Sequence, residues 1–378
     1  MRDRVAFRVD SSIRMGSGHL MRCLALASAL RDEGVESVFV LRPHEGHGAD
    51  LVREHGHQLR LLAPAMSATC GGRVLRQAEE EESPLGTDRL SDARETALAI
   101  ADDEPDCIVV DHYGIDAAWE RSISSFLGVN VVAIDGLGER SHACSLLVDP
   151  TYTELNPGRW NDLVPHHAQV LWGPRYALVD TAFARALDSR PTRSGKVERV
   201  LIAFGGTDQP GMTQLALEAV LAAGRGRLEI DVVAGRTNPT VRELRQQCEV
   251  HPGVTFHHDT SQMAELMARA DLALGAGGSM MWERVFLGLP AVLLTIAEHQ
   301  QKLTTEVART GAVIDAGPAR TATAAELRAL IDPLLRHPDR VRWMSERARE
   351  LVGHDSEPGS VKVARQVRQL LTLGVPGR

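Results

Sequence analysis

Two α/β domains, each a parallel sheet wrapped by helices, are what this chain predicts. Three observations carry that expectation. Its 378 residues exceed one ordinary core, since domains run to about 100–200 residues. Short apolar segments alternate with helix-patterned ones from end to end, as in parallel strands joined by crossover helices. A polar stretch rich in Pro, Ser and Gly, Asp188–Lys196 (DSRPTRSGK), breaks the composition midway and reads as an interdomain linker. The halves look like two similar Rossmann-like units rather than one long barrel. The expected bounds are 1–187 and 197–355 around a 188–196 linker, with a segment 356–378 whose helix could reach back over the first domain.

The first-half strands are read at Val5–Asp10, Ser37–Arg42, Gln58–Leu62, Asp106–Asp111, Asn130–Asp135 and Ser145–Asp149. The helix after the first runs from about His19 to Glu33, where Leu20, Cys23, Leu24, Ala27 and Leu30 share one apolar face at helical spacing. Met66–Asp92 is weakly patterned and carries the acidic run Glu79–Glu82, which reads as a solvated loop. Second-half strands follow at Val200–Phe204, Glu229–Ala234, Val254–His257, Leu272–Gly275 and Ala291–Thr295. Three helices close the chain near Ala324–Leu335, Pro338–Val352 and Gly359–Leu373.

Composition narrows the function classes. A hydrophobic share of 43% and a charged share of 24% are those of a soluble globular protein. No apolar run approaches the ~18–20 residues that cross a membrane, and Met1–Asp10 enters a strand at once, with no signal peptide expected. Cys23, Cys70, Cys107, Cys144 and Cys248 are scattered, with no pair at metal-ligand spacing. An odd, unframed set points to a reducing, cytoplasmic setting without structural disulfides or a metal site. The formal charge of −8 argues against a nucleic-acid partner, whereas a small anion needs only a few cations and backbone N–H groups.

In open parallel sheets, ligands bind beyond the carboxyl ends of the strands. Four first-half strands end in aspartate: Asp10, Asp111, Asp135 and Asp149. One such residue is usually a turn former or helix cap; four suggest a shared polar rim. Between the first strand and its helix stands Gly16-Ser17-Gly18-His19. The glycines permit a tight turn. A histidine in a first helical turn at this rim is placed for proton transfer, and a helix N-terminus disfavours its charged form. A plain strand-to-helix turn is the alternative reading.

The second half repeats the device. Gly205-Gly206-Thr207-Asp208 follows one strand, and Gly275-Ala276-Gly277-Gly278-Ser279 leads from another into the helix Met280–Leu287. Glycines and then a hydroxyl at a helix start suit a phosphate. Glu283, on the second turn, is either a surface carboxylate or an acceptor for a ribose diol. Gly288-Leu289-Pro290 then turns into a strand, after which Ala297-Glu298-His299-Gln300-Gln301 forms a polar cluster.

Together these motifs resemble a known family. Phe7-Arg8-Val9-Asp10, Gly16–His19 and Met21-Arg22-Cys23 look like the opening of the pseudaminic-acid pathway UDP-2,4-diacetamido-2,4,6-trideoxy-β-L-altropyranose hydrolases, relatives of spore-coat polysaccharide proteins. The likeness continues through Val110-Asp111-His112-Tyr113, Gly173-Pro174-Arg175-Tyr176-Ala177-Leu178 and Ile202–Asp208. It ends with Gly275–Ser279, Trp282-Glu283-Arg284 and Gly288–Pro290.

The resemblance implies a glycosyltransferase-B (GT-B) fold, two Rossmann-like domains facing a cleft, similar to the MurG-type N-acetylglucosaminyltransferases. It implies UDP held mainly by the second domain through Gly205, Gly206, Thr207, Gly277, Gly278, Ser279, Met280 and Glu283, with Glu283 on the ribose. His19 would activate water for attack at the anomeric carbon, with Asp10 as a catalytic companion. Gly16, Gly18, Arg22, Asp111, His112, Tyr113, Arg175, Tyr176, His299 and Gln300 would contact the sugar side. No metal or cofactor is implied, and the partner is a UDP-sugar.

Four segments depart from the family pattern. Met280 and Met281 replace two hydroxyl residues, and His299 stands where the family has Asn. Asp135-Gly136-Leu137-Gly138 replaces Asp-Asp-Leu-Ala, and Asp149-Pro150-Thr151-Tyr152 replaces Asp-Gln-Asn. Hydrolysis, glycosyl transfer to a small acceptor and non-catalytic nucleotide-sugar binding all remain open on this scaffold. A lipid acceptor is disfavoured, since no basic-apolar segment resembles a membrane dock.

Overall fold

The structure, a computed structural model, describes residues 3–65, 84–152, 158–190, 193–208, 211–224 and 226–373. The chain divides into two compact units. The first holds Met1–Pro150, Glu154–Trp172 and Ser360–Arg378; the second holds Thr151–Thr153 and Gly173–Gly359.

The first unit is built on seven strands: β1 (Arg4–Val9), β2 (Glu36–Leu41), β3 (Gln58–Leu61), β4 (Cys107–Asp111), β5 (Asn130–Ile134), β6 (Leu146–Asp149) and β7 (Gln169–Trp172). They pair in parallel in the order β3-β2-β1-β4-β5-β6-β7. The direction of the order reverses at β1–β4, the switch point of such sheets. Central strands are buried along their whole length, which is why they read as continuous apolar runs. Phe7 stacks on Phe39 of the neighbouring strand, with centroids 4.7 Å apart.

The second unit carries β8 (Arg199–Ala203), β9 (Glu229–Ala234), β10 (Val254–His258), β11 (Leu272–Ala276), β12 (Ala291–Thr295) and β13 (Val313–Pro318). Their order is β10-β9-β8-β11-β12-β13, again parallel. Of the thirteen strands among the described residues, β7 and β13 carry no clear sequence signal. Both are edge strands with little burial, and β13 pairs with a register shift near Leu293 and Thr295.

The passage between units also differs from the reading at 188–196. The helix Thr181–Ser189 buries Phe183 and Ala186 in the second unit's core, so the division falls at Gly173 instead. Arg193 is tied down through Nη2 to the carbonyls of Met267 and Ala268. The polar composition there serves backbone bonding; residues 191–192 lie outside the described set. The closing helix Gly359–Leu373 starts at the unit boundary, and from Ser360 onward the chain groups with the first unit, where Gln169 Nε2 donates to Gln366 Oε1 at 2.9 Å.

The stretch read as a solvated loop, 66–92, needs a correction at its end. Residues 66–83, with Cys70 and the acidic run, lie outside the described residues. A helix begins at Arg89, however, and Asp92 on it is fully buried. Its carboxylate accepts from Arg8 Nε (3.0 Å), Arg42 Nη2 (2.9 Å) and Trp119 Nε1 (3.0 Å). Among the described residues, no helix is long and apolar enough to cross a membrane.

Candidate active site

The four strand-end aspartates of the first unit are all buried, and each is engaged by polar side chains. Arg8 donates to both oxygens of Asp10, at 2.6 and 2.9 Å. These two residues lie on the same side of β1 because strand side chains repeat every second position. Asp111 receives Arg22 and His19. Asp135 receives Arg140 and His142, and Asp149 receives Arg159 and Trp160. The rim is therefore a row of paired charges, not of free carboxylates.

His19 is the second residue of the helix Gly18–Asp32. Gly16, with φ of +79°, makes the turn into it; its N–H donates to Ser12 O at 2.8 Å. That dihedral strains any residue with a Cβ. The imidazole Nδ1 lies 2.5 Å from Asp111 Oδ1. Arg22, one helical turn on, donates Nε to Oδ2 at 2.5 Å and Nη2 to Oδ1 at 2.6 Å. Burial alone would push the Asp111 carboxyl up, but Arg22 and then His19 outweigh it and hold it well below the usual carboxylate range. Arg22 Nη2 also lies 3.1 Å from Nδ1. An ionised carboxylate only accepts, so the Asp111 contact favours a proton on Nδ1 and turns Nε2 away from the pair. Nε2 has no partner among the described residues. The Tyr113 ring meets the imidazole edge-on, 4.5 Å between centroids. An imidazole oriented in this way can serve as a general base through Nε2.

Asp10 makes no hydrogen bond or ion pair with His19 among the described residues. It accepts Arg42 N at 2.7 Å, and His112 Nε2 and His44 Nε2 lie 3.2 and 3.4 Å from its Oδ2. Burial raises it, but Arg8 and then the histidines hold it well below its ordinary range. The expected catalytic companion is thus fully occupied, and Asp111 stands in the companion's position. His112 accepts Gly114 N on Nδ1 at 2.9 Å, which leaves its own proton on Nε2. Burial lowers its pKa. His44, unremarked in the sequence, joins the group only because β2 ends beside β1.

In the second unit, Gly205 and Gly206 follow β8, and Gly206 O accepts from Thr237 N and Oγ1, both at 3.2 Å. Thr207 is half-buried beside them. Asp208 is a helix cap, accepting from Met212 N and Thr213 N at 2.9 and 2.8 Å. Gly277 and Gly278 follow β11; a Cβ at Gly277 would stand 2.1 Å from Thr304 Oγ1, so only glycine fits. Gln300 borders Gly278, and its Oε1 accepts from Ile296 N at 3.1 Å. Ser279 caps the helix Met280–Phe286 without a side-chain hydrogen bond. Met280 is half-buried against the core and Met281 is fully buried within it. The Met281 departure is therefore a packing change, not a lost ligand.

Glu283 is half-buried, and its carboxylate makes no hydrogen bond or ion pair among the described residues. Its pKa is pushed up to about 7, by burial first and by Asp180, against the pull of Arg284. Arg284 is committed elsewhere, donating to Ala276 O and Ala203 O at 3.1 and 2.8 Å. Arg175 and Tyr176 form a short 3-10 turn in the second unit, the guanidinium carbon 4.9 Å from the ring centroid. His299 is exposed at the start of the helix Glu298–Arg309.

Known proteins bear on this arrangement. No family model matches the chain. It is 23% identical over 308 residues to the UDP-2,4-diacetamido-2,4,6-trideoxy-beta-L-altropyranose hydrolase of Campylobacter jejuni, covering 82% of this chain and 97% of that protein. It is 26% identical to the spore coat polysaccharide biosynthesis protein SpsG of Bacillus subtilis, over 56% of this chain and 62% of that one. An uncharacterized Methanocaldococcus jannaschii protein is 25% identical over 79% of the chain, which spans 57% of that protein's length. These relatives support the family read from the sequence. The Acinetobacter baumannii MurG structure superposes with a TM-score of 0.63 at 15% identity, covering 97% of this chain and 99% of that one. The Arabidopsis thaliana UGT89C1 structure gives 0.65 at 15%, covering 98% and 100%. The fold is that of the GT-B enzymes: two Rossmann-like domains.

Proposed function

We propose that this chain is an enzyme that hydrolyses a UDP-linked amino-deoxy sugar. The observation that carries the reading is the His19–Asp111 pair, with Nδ1 committed and Nε2 free. In the proposed step a water oxygen bonds to the anomeric carbon while the bond from that carbon to the diphosphate oxygen breaks. The water proton passes to His19 Nε2, and UDP leaves as the anion. Asp111 offsets the imidazolium charge as it forms, the role of an orienting carboxylate. The Glu283 carboxylate, without a partner among the described residues, would accept the ribose diol, and Gly277, Gly278 and Ser279 would border the diphosphate. No step calls for a metal.

The hydrolase named among the relatives supports water as the nucleophile. Glycosyl transfer to a small acceptor is the second reading, favoured by the extent of the structural likeness to transferases. Incubation with a panel of UDP-sugars, with and without candidate acceptor alcohols and amines, separates them. UDP release in buffer alone is expected; strict dependence on an acceptor would move the function to transfer.

A further inference from the structure

The charges beside the His19 pair continue into a buried chain that the reaction as described does not use. Glu120, on the helix Ala117–Leu127, is fully buried and receives Ala143 N and His142 Nδ1, the latter at 2.6 Å. His142 Nε2 in turn lies 3.0 Å from Asp135 Oδ2. The same oxygen accepts Arg140 Nε at 3.1 Å. Arg140 Nη1 then donates to two backbone carbonyls, His112 O at 3.2 Å and Tyr113 O. Those carbonyls belong to the two residues after Asp111.

A guanidinium carries five donors in a rigid fork, so it can hold a carboxylate and backbone oxygens at once. Here one nitrogen is spent on backbone oxygens just where the chain leaves β4. The strand ends at Asp111; beyond it His112 O also accepts from Ile115 N at 3.2 Å, and Arg140 adds a side-chain donor to the 112 and 113 carbonyls. Asp111 immediately precedes the 112–113 segment and Tyr113 lies within it, and both meet the His19 imidazole. A shift of the 112–113 carbonyls would move both contacts together.

We propose that Arg140 is a positioning residue for His19, fixing the 112–113 backbone so that Asp111 and Tyr113 hold the imidazole in its reactive orientation. The proposal rests on His19 being the base. Asp135, His142 and Glu120 serve as the anchor from which Arg140 reaches.

The test uses Arg140→Met and Arg140→Lys in the full chain, with His19→Ala alongside. R140M is expected to lower kcat about 10–100-fold, as a misplacement near 1 Å does, with KM unchanged within about threefold. The low-field imidazole Nδ1–H resonance, assigned by its loss in H19A, should shift or broaden. R140K, which keeps a cation for Asp135 and one carbonyl, should recover part of both. If H19A loses turnover while R140M or R140K keeps wild-type kcat and an unmoved resonance, Arg140 has no positioning role. If H19A itself keeps turnover, the base assignment falls instead. Should R140M fail to fold, R140K alone decides, through its kcat and its resonance.

Discussion

His19 Nδ1 and Asp111 Oδ1 stand 2.5 Å apart, and Asp111 is held from its other side by Arg22. The pair joins a helix N-terminus to a strand end 92 residues later. Its consequences for the proposed chemistry are direct.

Removing the imidazole removes the base. His19→Ala is expected to lower kcat by roughly 10²–10⁴-fold, the usual range for a general base. Asp111→Asn should approach that loss, because an amide presents a donor as well as an acceptor to Nδ1 and lets the ring take the wrong tautomer. Steady-state kinetics on both variants, checked for cooperative unfolding, measure this. An Asp111→Asn enzyme within threefold of wild type would dissociate Asp111 from the mechanism.

Glu283 makes a pH-dependent prediction. With its pKa near 7, it is partly protonated at neutrality. A ribose diol donates two hydrogen bonds best to the carboxylate, so uridine, which carries no titrating phosphate, should bind more tightly as pH rises from 6 to 8. Calorimetric titration of Glu283→Gln should show affinity weaker by about tenfold, the scale of a hydrogen bond to a charged group, and flat across that range. An unchanged slope in the variant would assign the pH dependence elsewhere.

His142 sets a stability window. Burial opposes its charge, but hydrogen bonds to Asp135 and Glu120 prevail and raise its pKa to about 9. A raised base stabilises the fold fully below its unfolded pKa of about 6.5, and that contribution is lost as pH rises through 9. Thermal unfolding of the wild type should therefore fall between pH 6.5 and 9.5. His142→Gln should unfold at lower temperature at pH 6 and show a shallower fall. Parallel melting curves would contradict the assignment.

Asp92 is a stability determinant. Asp92→Ala leaves Arg8 with one carboxylate partner and strips a partner from both Arg42 and Trp119. Breaking a buried pair from one side costs about 3–5 kcal/mol. Urea unfolding reads this as a midpoint shift; a loss under about 1 kcal/mol would mean that solvent reaches the cluster.

Much of this was legible in the residues. Central strands such as β4 and β5 announce themselves because both faces are buried, and their terminal aspartates mark the rim. The edge strands β7 and β13 did not, because QVLW and VIDAGP neither alternate nor form a long apolar run, whereas the equally exposed edge strands β3 and β10 alternate. His19 stood out by its place after a glycine turn. Its partner did not: Asp10 is nearer in sequence, but Arg8, hidden inside β1, takes both its oxygens. Asp92 looked solvated for the same reason, since its cations come from other strands. Ion-pair partners are set by the register and order of strands, which a linear pattern does not contain. Met281 shows the converse, a residue in a ligand-like motif that faces the core.

In the proposed reaction His19 drives water onto the anomeric carbon of a UDP-linked sugar. Turnover of a UDP-linked diacetamido sugar in ¹⁸O-labelled water, with mass spectrometry of the released UDP, tests it most directly. That reaction is expected to release UDP free of label and without any acceptor, and to be abolished in His19→Ala. Label in the UDP phosphate, or release that survives the loss of His19, would contradict it.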